Sequence, residues 1–136
     1  MLVDERGVPL SVIVTAANRN DGELTAQVLA AAQWPPAAAR PESPQLCVDG
    51  AYAAEKYQTL IRDAGYVPHL RKGLDAVAVL DPAKKPRRWV VEVSHSWFNR
   101  FRKLLVRYEK TTSSYLALCQ LAASIIALRK VGFIYG

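Results

Sequence analysis

Apolar positions recur along this chain with two different periods. Leu2-Val3 and Leu10–Thr15 (LSVIVT) are short, β-branched and apolar, and Glu5-Arg6-Gly7-Val8 between them has turn composition, so the pattern predicts a β-hairpin. After a loop over Ala16–Gly22, the spacing of Leu24, Val28 and Ala31 predicts a helix to about Gln33, capped by Asn20 or Asp21. Trp34-Pro35-Pro36 ends it, and a Pro- and Ala-rich loop runs to Pro44. Gln45–Val48 reads as a strand ending at Asp49, and Ala53–Ala64 as a helix with Tyr57, Leu60 and Ile61 on one face and Gly65 as C-cap. Tyr66–Leu70 reads as a second strand, so the unit is βαβ and its strands are parallel.

Arg71–Pro86 is charged, bounded by prolines, and reads as a mobile loop. From Arg87 a single long helix is expected to about Glu109, with Val90, Val93, Trp97, Phe101, Leu104 and Tyr108 as its buried stripe. Arg88, Glu92, His95, Asn99 and Lys103 step along another face of the same helix. Thr111–Ser114 breaks the pattern. Tyr115–Lys130 is apolar nearly all round, which predicts a buried helix; its apolar core is too short and too polar to span a bilayer.

Length and charge narrow the picture. At 136 residues the chain forms one domain, 1–136, with an α/β order of elements. The net charge is +6, and the surplus lies in the last third, where Glu92 and Glu109 are the only acids after Pro82. Such asymmetry favours a nucleic-acid partner over its bland rival, an anionic lipid surface. Cys47 and Cys119 read as reduced thiols in a cytoplasmic protein's core, and no signal peptide is legible. With His69 and His95 at unrelated spacings, the pattern argues against a structural zinc site.

Two acids stand in positions where chemistry is done. Asp49 follows a parallel-type strand, where open α/β sheets bind ligands. Glu92 lies alone among Arg87, Arg88, Arg100, Arg102, Lys103 and Arg107. Hard oxygen ligands suit Mg²⁺, and paired ions can drive an in-line displacement at phosphorus. Taken singly, each residue has a plainer reading. Asp49 can be only a helix cap, Glu92 only compensation of a helix dipole, and the cations only a solvated face. His95 is more often a groove-lining residue than a ligand or base, and Trp97 and Phe101 are more often core than base-stacking.

In combination the segments are specific. LCVDGAYAAEKYQTLIRDAGYVPHLRKG and KKPRRWVVEVSHSWFNRFRKLLVRYEKTTSSYLALCQLAASIIALRK, preceded by LVDERGVPLSVIVTAANRND, resemble the C-terminal part of DDE transposases of bacterial insertion sequences, group five. The resemblance implies a ribonuclease-H-like fold and an Asp-Asp-Glu triad that binds two Mg²⁺ or Mn²⁺ ions. It implies cleavage at element ends and transfer of the freed 3′-hydroxyl into target DNA. By position, Asp49 matches the second acid and Glu92 the third, both catalytic and metal-binding. Arg88, one helical turn before Glu92, matches the arginine of the Tyr-Arg-Glu-Lys signature, whose Tyr and Lys fall here on Lys85 and Asn99. Asp-Lys-Gly-Tyr is replaced by Asp49-Gly50-Ala51-Tyr52, and Glu-Arg by Glu92-Val93. Expected DNA contacts are Arg88, His95, Asn99, Arg100, Lys103 and Arg107.

The family's first Asp belongs to a strand before the hairpin, and Asp4 does not occupy its place. The expectation is therefore an N-terminally truncated catalytic domain (hairpin, helix, strand, helix, strand, two C-terminal helices) that is inactive alone and lacks the family's N-terminal DNA-binding region. Three origins are open: a truncated copy, a mis-set start, or the downstream frame of a frameshifted element. The last would make an upstream-frame product or frameshift fusion a partner. The active full-length form is expected to be a homo-oligomer without membrane contact. The rival readings are a non-catalytic DNA-binding remnant and another ribonuclease-H-like nuclease.

Overall fold

Gly7 lets the first turn close. Its φ of +83° is a left-handed conformation that suits glycine. The Asp4 carboxylate completes the turn, its Oδ1 accepting from the amides of Arg6 and Val8, each at 2.8 Å. The flanking strands β1 (Leu2–Val3) and β2 (Pro9–Ser11) pair antiparallel, Leu2 opposite Ser11, with a register irregularity between Leu2 and Val3. The hairpin is thus as expected, though β2 ends at Ser11, short of Thr15. The computed structural model describes residues 1–16, 18–33, 42–70 and 89–130.

The next segment opens as a 3-10 turn, Asp21–Leu24, capped by Asn20, whose Oδ1 accepts from the Gly22 amide at 2.8 Å. Helix α1 (Thr25–Ala30) follows, and the Gln33 amide donates to Leu10 O at 2.7 Å, tying its exit to the hairpin. Strand β3 (Gln45–Val48) leads through a 3-10 turn (Gly50–Tyr52) into α2 (Glu55–Asp63) and β4 (Val67–Leu70). β3 and β4 are parallel, in the register Gln45 to Val67 through Val48 to Leu70. Gly65, at φ +80°, ends α2 as a C-cap glycine does. The parallel βαβ unit is therefore as the sequence predicts. Among the described residues the strands form two separate two-stranded sheets rather than one. Leu2, Leu29, Ile61 and Tyr66 form the buried core between them, with Leu10, Val28, Leu46 and Val48 packed against it.

The C-terminal third departs from expectation. The predicted helix to Glu109 is broken into α3 (Trp89–Phe98) and α4 (Arg102–Leu105). Its bonds tighten at the break: the amides of Arg100 and Phe101 donate to Trp97 O and Phe98 O, three residues back, and Phe101 turns extended at φ −89°, ψ 102°. A straight helix of that length would carry Leu104 away from α5 (Thr112–Lys130). The break folds α4 back onto it, and the Tyr115 hydroxyl donates to Leu104 O at 3.0 Å. The expected stripe fails beyond the break for the same reason, and Tyr108 is 78% exposed.

Helix α5 is not buried all round. Cys119, Ala122 and Ile126 form a narrow buried stripe, while Leu121 and Leu128 face outward. Cys47, expected in the core, is exposed because alternate residues of β3 point away from it. The expected Arg71–Pro86 loop lies outside the described residues. No described helix is long and apolar enough to cross a membrane.

Helix α3 is held to the hairpin by one buried polar contact. Ser94 is fully buried, its hydroxyl 2.8 Å from Gly7 O and 2.9 Å from Val90 O, so a single proton serves two acceptors. A Cβ on Gly7 would lie 2.9 Å from Ser94 Oγ and 3.1 Å from the Trp97 ring. Gly7→Ala is therefore expected to destabilise by about 1–3 kcal/mol in a urea titration. Gly22 is equally constrained, since a Cβ there would overlap the buried Tyr57 ring. Gly22→Ala should also lose about 1–3 kcal/mol, from overpacking. Gly50 has nothing within 4 Å of an added Cβ, so Gly50→Ala is the matched control. It should stay within about 0.5 kcal/mol of the parent, and an equal loss there would show that packing is not the cause.

Candidate functional site

Asp49 stands where β3 runs into α2, half-buried, with Oδ1 accepting from the Ala51 amide at 2.9 Å. The bond is the cap that the sequence suggests, and it fixes the orientation of the carboxylate. Glu92 lies in the first turn of α3, exposed. An acid there is favoured by the helix dipole, and the Ser94 contact behind it sets where the helix runs.

Tyr52 shows what surrounds Asp49. It is half-buried, its ring edge-on to Tyr57 at 6.1 Å between centroids. Burial raises its phenol pKa, and the negative charges of Asp21 and Asp49 raise it further. The charge of Asp21 therefore acts on the same tyrosine as that of Asp49. It also acts on the Met1 ammonium, whose pKa burial lowers and Asp21 raises. That ammonium in turn reaches His95, which is exposed overall; partial burial of the ring lowers its pKa first, and the Met1 charge second. Glu92 and His95 lie one helical turn apart on α3.

Asp21 and Tyr52 were treated in the sequence as a cap candidate and a turn residue. The signal for Asp21 lay in the Ala-Asn-x-x-Asp end of the hairpin segment. The Gly22 contact packs that turn against Tyr57 of α2, whose ring also meets Tyr52. Among the described residues, no group of three or more His, Cys, Asp or Glu side chains gathers as a metal cage.

The expected basic face divides at the break in the helix. Arg88 lies outside the described residues. Glu92 and His95 share α3, Asn99 and Arg100 sit in the turn after it, and Lys103 lies on α4. Arg107 is past α4, its guanidinium 5.0 Å from the centre of the Tyr115 ring. It packs on α5 rather than continuing the line from Glu92. The described polar positions Glu92, His95, Asn99 and Lys103 do not form one continuous helix face, because Asn99, Arg100 and Phe101 intervene where the periodicity assumed helix.

Comparison with known proteins gives these positions a family context. The family model for a transposase DDE domain matches residues 46–129, a span that includes both Asp49 and Glu92. Over 131 residues the chain is 28% identical to a transposase of the insertion sequence element IS402 from Burkholderia cepacia. The alignment covers 93% of this chain and 60% of that relative, so the chain spans about 60% of the length of the curated relative it matches. No solved structure matches it. With the family model covering more than half of its length, the chain belongs to the transposase DDE domain family.

Proposed function

We propose that this chain is part of the catalytic domain of an insertion-sequence transposase of group five with a ribonuclease-H-like fold, which cuts DNA at element ends and joins the freed 3′-hydroxyl to target DNA. One observation carries the reading: a single family match spans the strand-end acid Asp49 and the helix acid Glu92, which different elements position.

The family uses divalent metal ions. The donors fit such an ion, since Mg²⁺ is commonly bound through one or two carboxylates together with waters and substrate phosphates rather than by an all-protein cage. Asp49 and Glu92 would hold it, as Mg²⁺ or Mn²⁺, and when bound it supplies charge neutralisation and activation of an oxygen nucleophile at phosphorus. The chain's own contribution is to fix the acids. The Ala51 amide restrains Asp49, and the Ser94 anchor restrains the helix that presents Glu92. His95, Asn99, Arg100 and Lys103 lie exposed on and beyond that helix, where they can take DNA phosphates. Arg88 and Arg107 complete the proposed contact set, Arg107 from its position over Tyr115.

Two measurements test the reading. In Mg²⁺-dependent cleavage of element ends by this chain joined to its upstream segment, Asp49→Asn and Glu92→Gln should each slow cleavage about a hundredfold or more. Unchanged cleavage in the double variant would overturn the assignment of both acids. DNA binding by the chain should weaken about a hundredfold between about 50 and 200 mM salt if about four phosphates are engaged. An affinity independent of salt would remove the basic surface from the interface.

A further inference from the structure

The last turn of α3 and the last turn of α5 enclose a cleft of about 330 Å³ lined by Trp97, Arg100, Phe101, Ile126, Arg129 and Lys130. Glu92 is at the other end of α3. Among the described residues no acid lines the cleft, and α5 contains none. The ion pair found among the described residues, Arg62 with Glu55, is on α2. Three cations are thus held around one opening with no carboxylate among the described residues to offset their repulsion, which favours an anion there.

The rest of the lining is apolar and aromatic. Trp97 is fixed in place, its ring edge against Gly7 and its face 4.2 Å from the Lys130 ammonium. Phe101 is half-buried and Ile126 buried. Inorganic phosphate would use the cations and leave this surface idle. A ligand that joins phosphate to a flat π-face uses both, and the volume is in the range of small-ligand clefts. Bases stacked within a duplex cannot present that face, so the base must lie outside the stack.

We propose that the cleft binds an unpaired nucleotide of a DNA strand, its base against Trp97 and Phe101 and its phosphates on Arg100, Arg129 and Lys130. The proposal rests on the DNA-acting reading above. Lys130, long and flexible, moves from the indole face to a phosphate as the base enters, a cation–π contact given up for a charge-assisted one.

The test is fluorescence anisotropy with the full chain and three probes: a blunt duplex, the same duplex with a short single-stranded extension, and that extension made abasic. The extension should tighten binding about tenfold, and the abasic probe should lose most of that gain. Trp97→Leu should abolish the gain while Trp97→Phe retains it, and the abasic comparison needs no variant to fold. An abasic extension that binds as tightly as the intact one would overturn the base pocket, leaving phosphate capture alone. An extension with no advantage over the blunt duplex would overturn the proposal while the DNA-acting reading stands. Failure of all three probes to bind at low salt would overturn both.

Discussion

The contact between Ser94 and Gly7 joins the two halves of this molecule. It links a turn near the start of the chain to a helix that follows the βαβ unit in the sequence, and it does so with a fully buried hydroxyl. The hydroxyl has Val90 O of its own helix within reach as well, so Gly7 O is an added buried acceptor, and α3 docks best where that carbonyl is presented. That presentation requires the left-handed backbone at Gly7, which in turn depends on the Asp4 carboxylate closing the turn. Trp97 packs beside the same glycine, so both the Glu92 end and the cleft end of α3 are set from one point.

A second junction of the same kind sits across the core. Gly22 meets the Tyr57 ring, and Tyr57 meets Tyr52, whose phenol feels the charges of both Asp21 and Asp49. In both junctions a glycine permits a close approach that any side chain would block. The carboxylates are thus positioned by packing, and no salt bridge among the described residues involves either Asp49 or Glu92. Among the described residues no cation pairs with either charge, a condition that would suit acids that meet a cation supplied with the substrate.

Local chemistry made much of this fold readable from the chain. The Gly7 turn, the Asn20 cap, the Asp49 cap, the Gly65 C-cap and the parallel pairing of β3 with β4 all follow from short-range rules, and they recur in the structure. The long helix did not recur, because periodicity carries no information about where a helix must turn to meet a partner. Val90, Val93 and Trp97 keep their spacing with Phe101 and Leu104 across Asn99 and Arg100, and nothing in that spacing marks the break. The partner that demands it, Tyr115, lies on α5. Similarly, the apolar character of α5 could not show that only the Cys119, Ala122 and Ile126 stripe has something to pack on. Asp49 and Glu92 stand out in the sequence by their context, whereas the weight of Asp21 comes from the Gly22 contact, which brings its turn to Tyr57.

The break in the helix also assigns the cations to different tasks. Had α3 continued, Arg100 and Arg107 would have lain along one rod, available to a single run of phosphates. Instead Arg100 lies in the turn, beside Arg129 and Lys130 from the end of α5, while Arg107 is drawn onto Tyr115. Net charge is the same in either arrangement, but only the broken one gathers cations around an aromatic floor. A uniform basic rod recognises a duplex by its backbone alone. A bent one, with its turn closed against a neighbouring helix, can in addition distinguish a base that has left the stack.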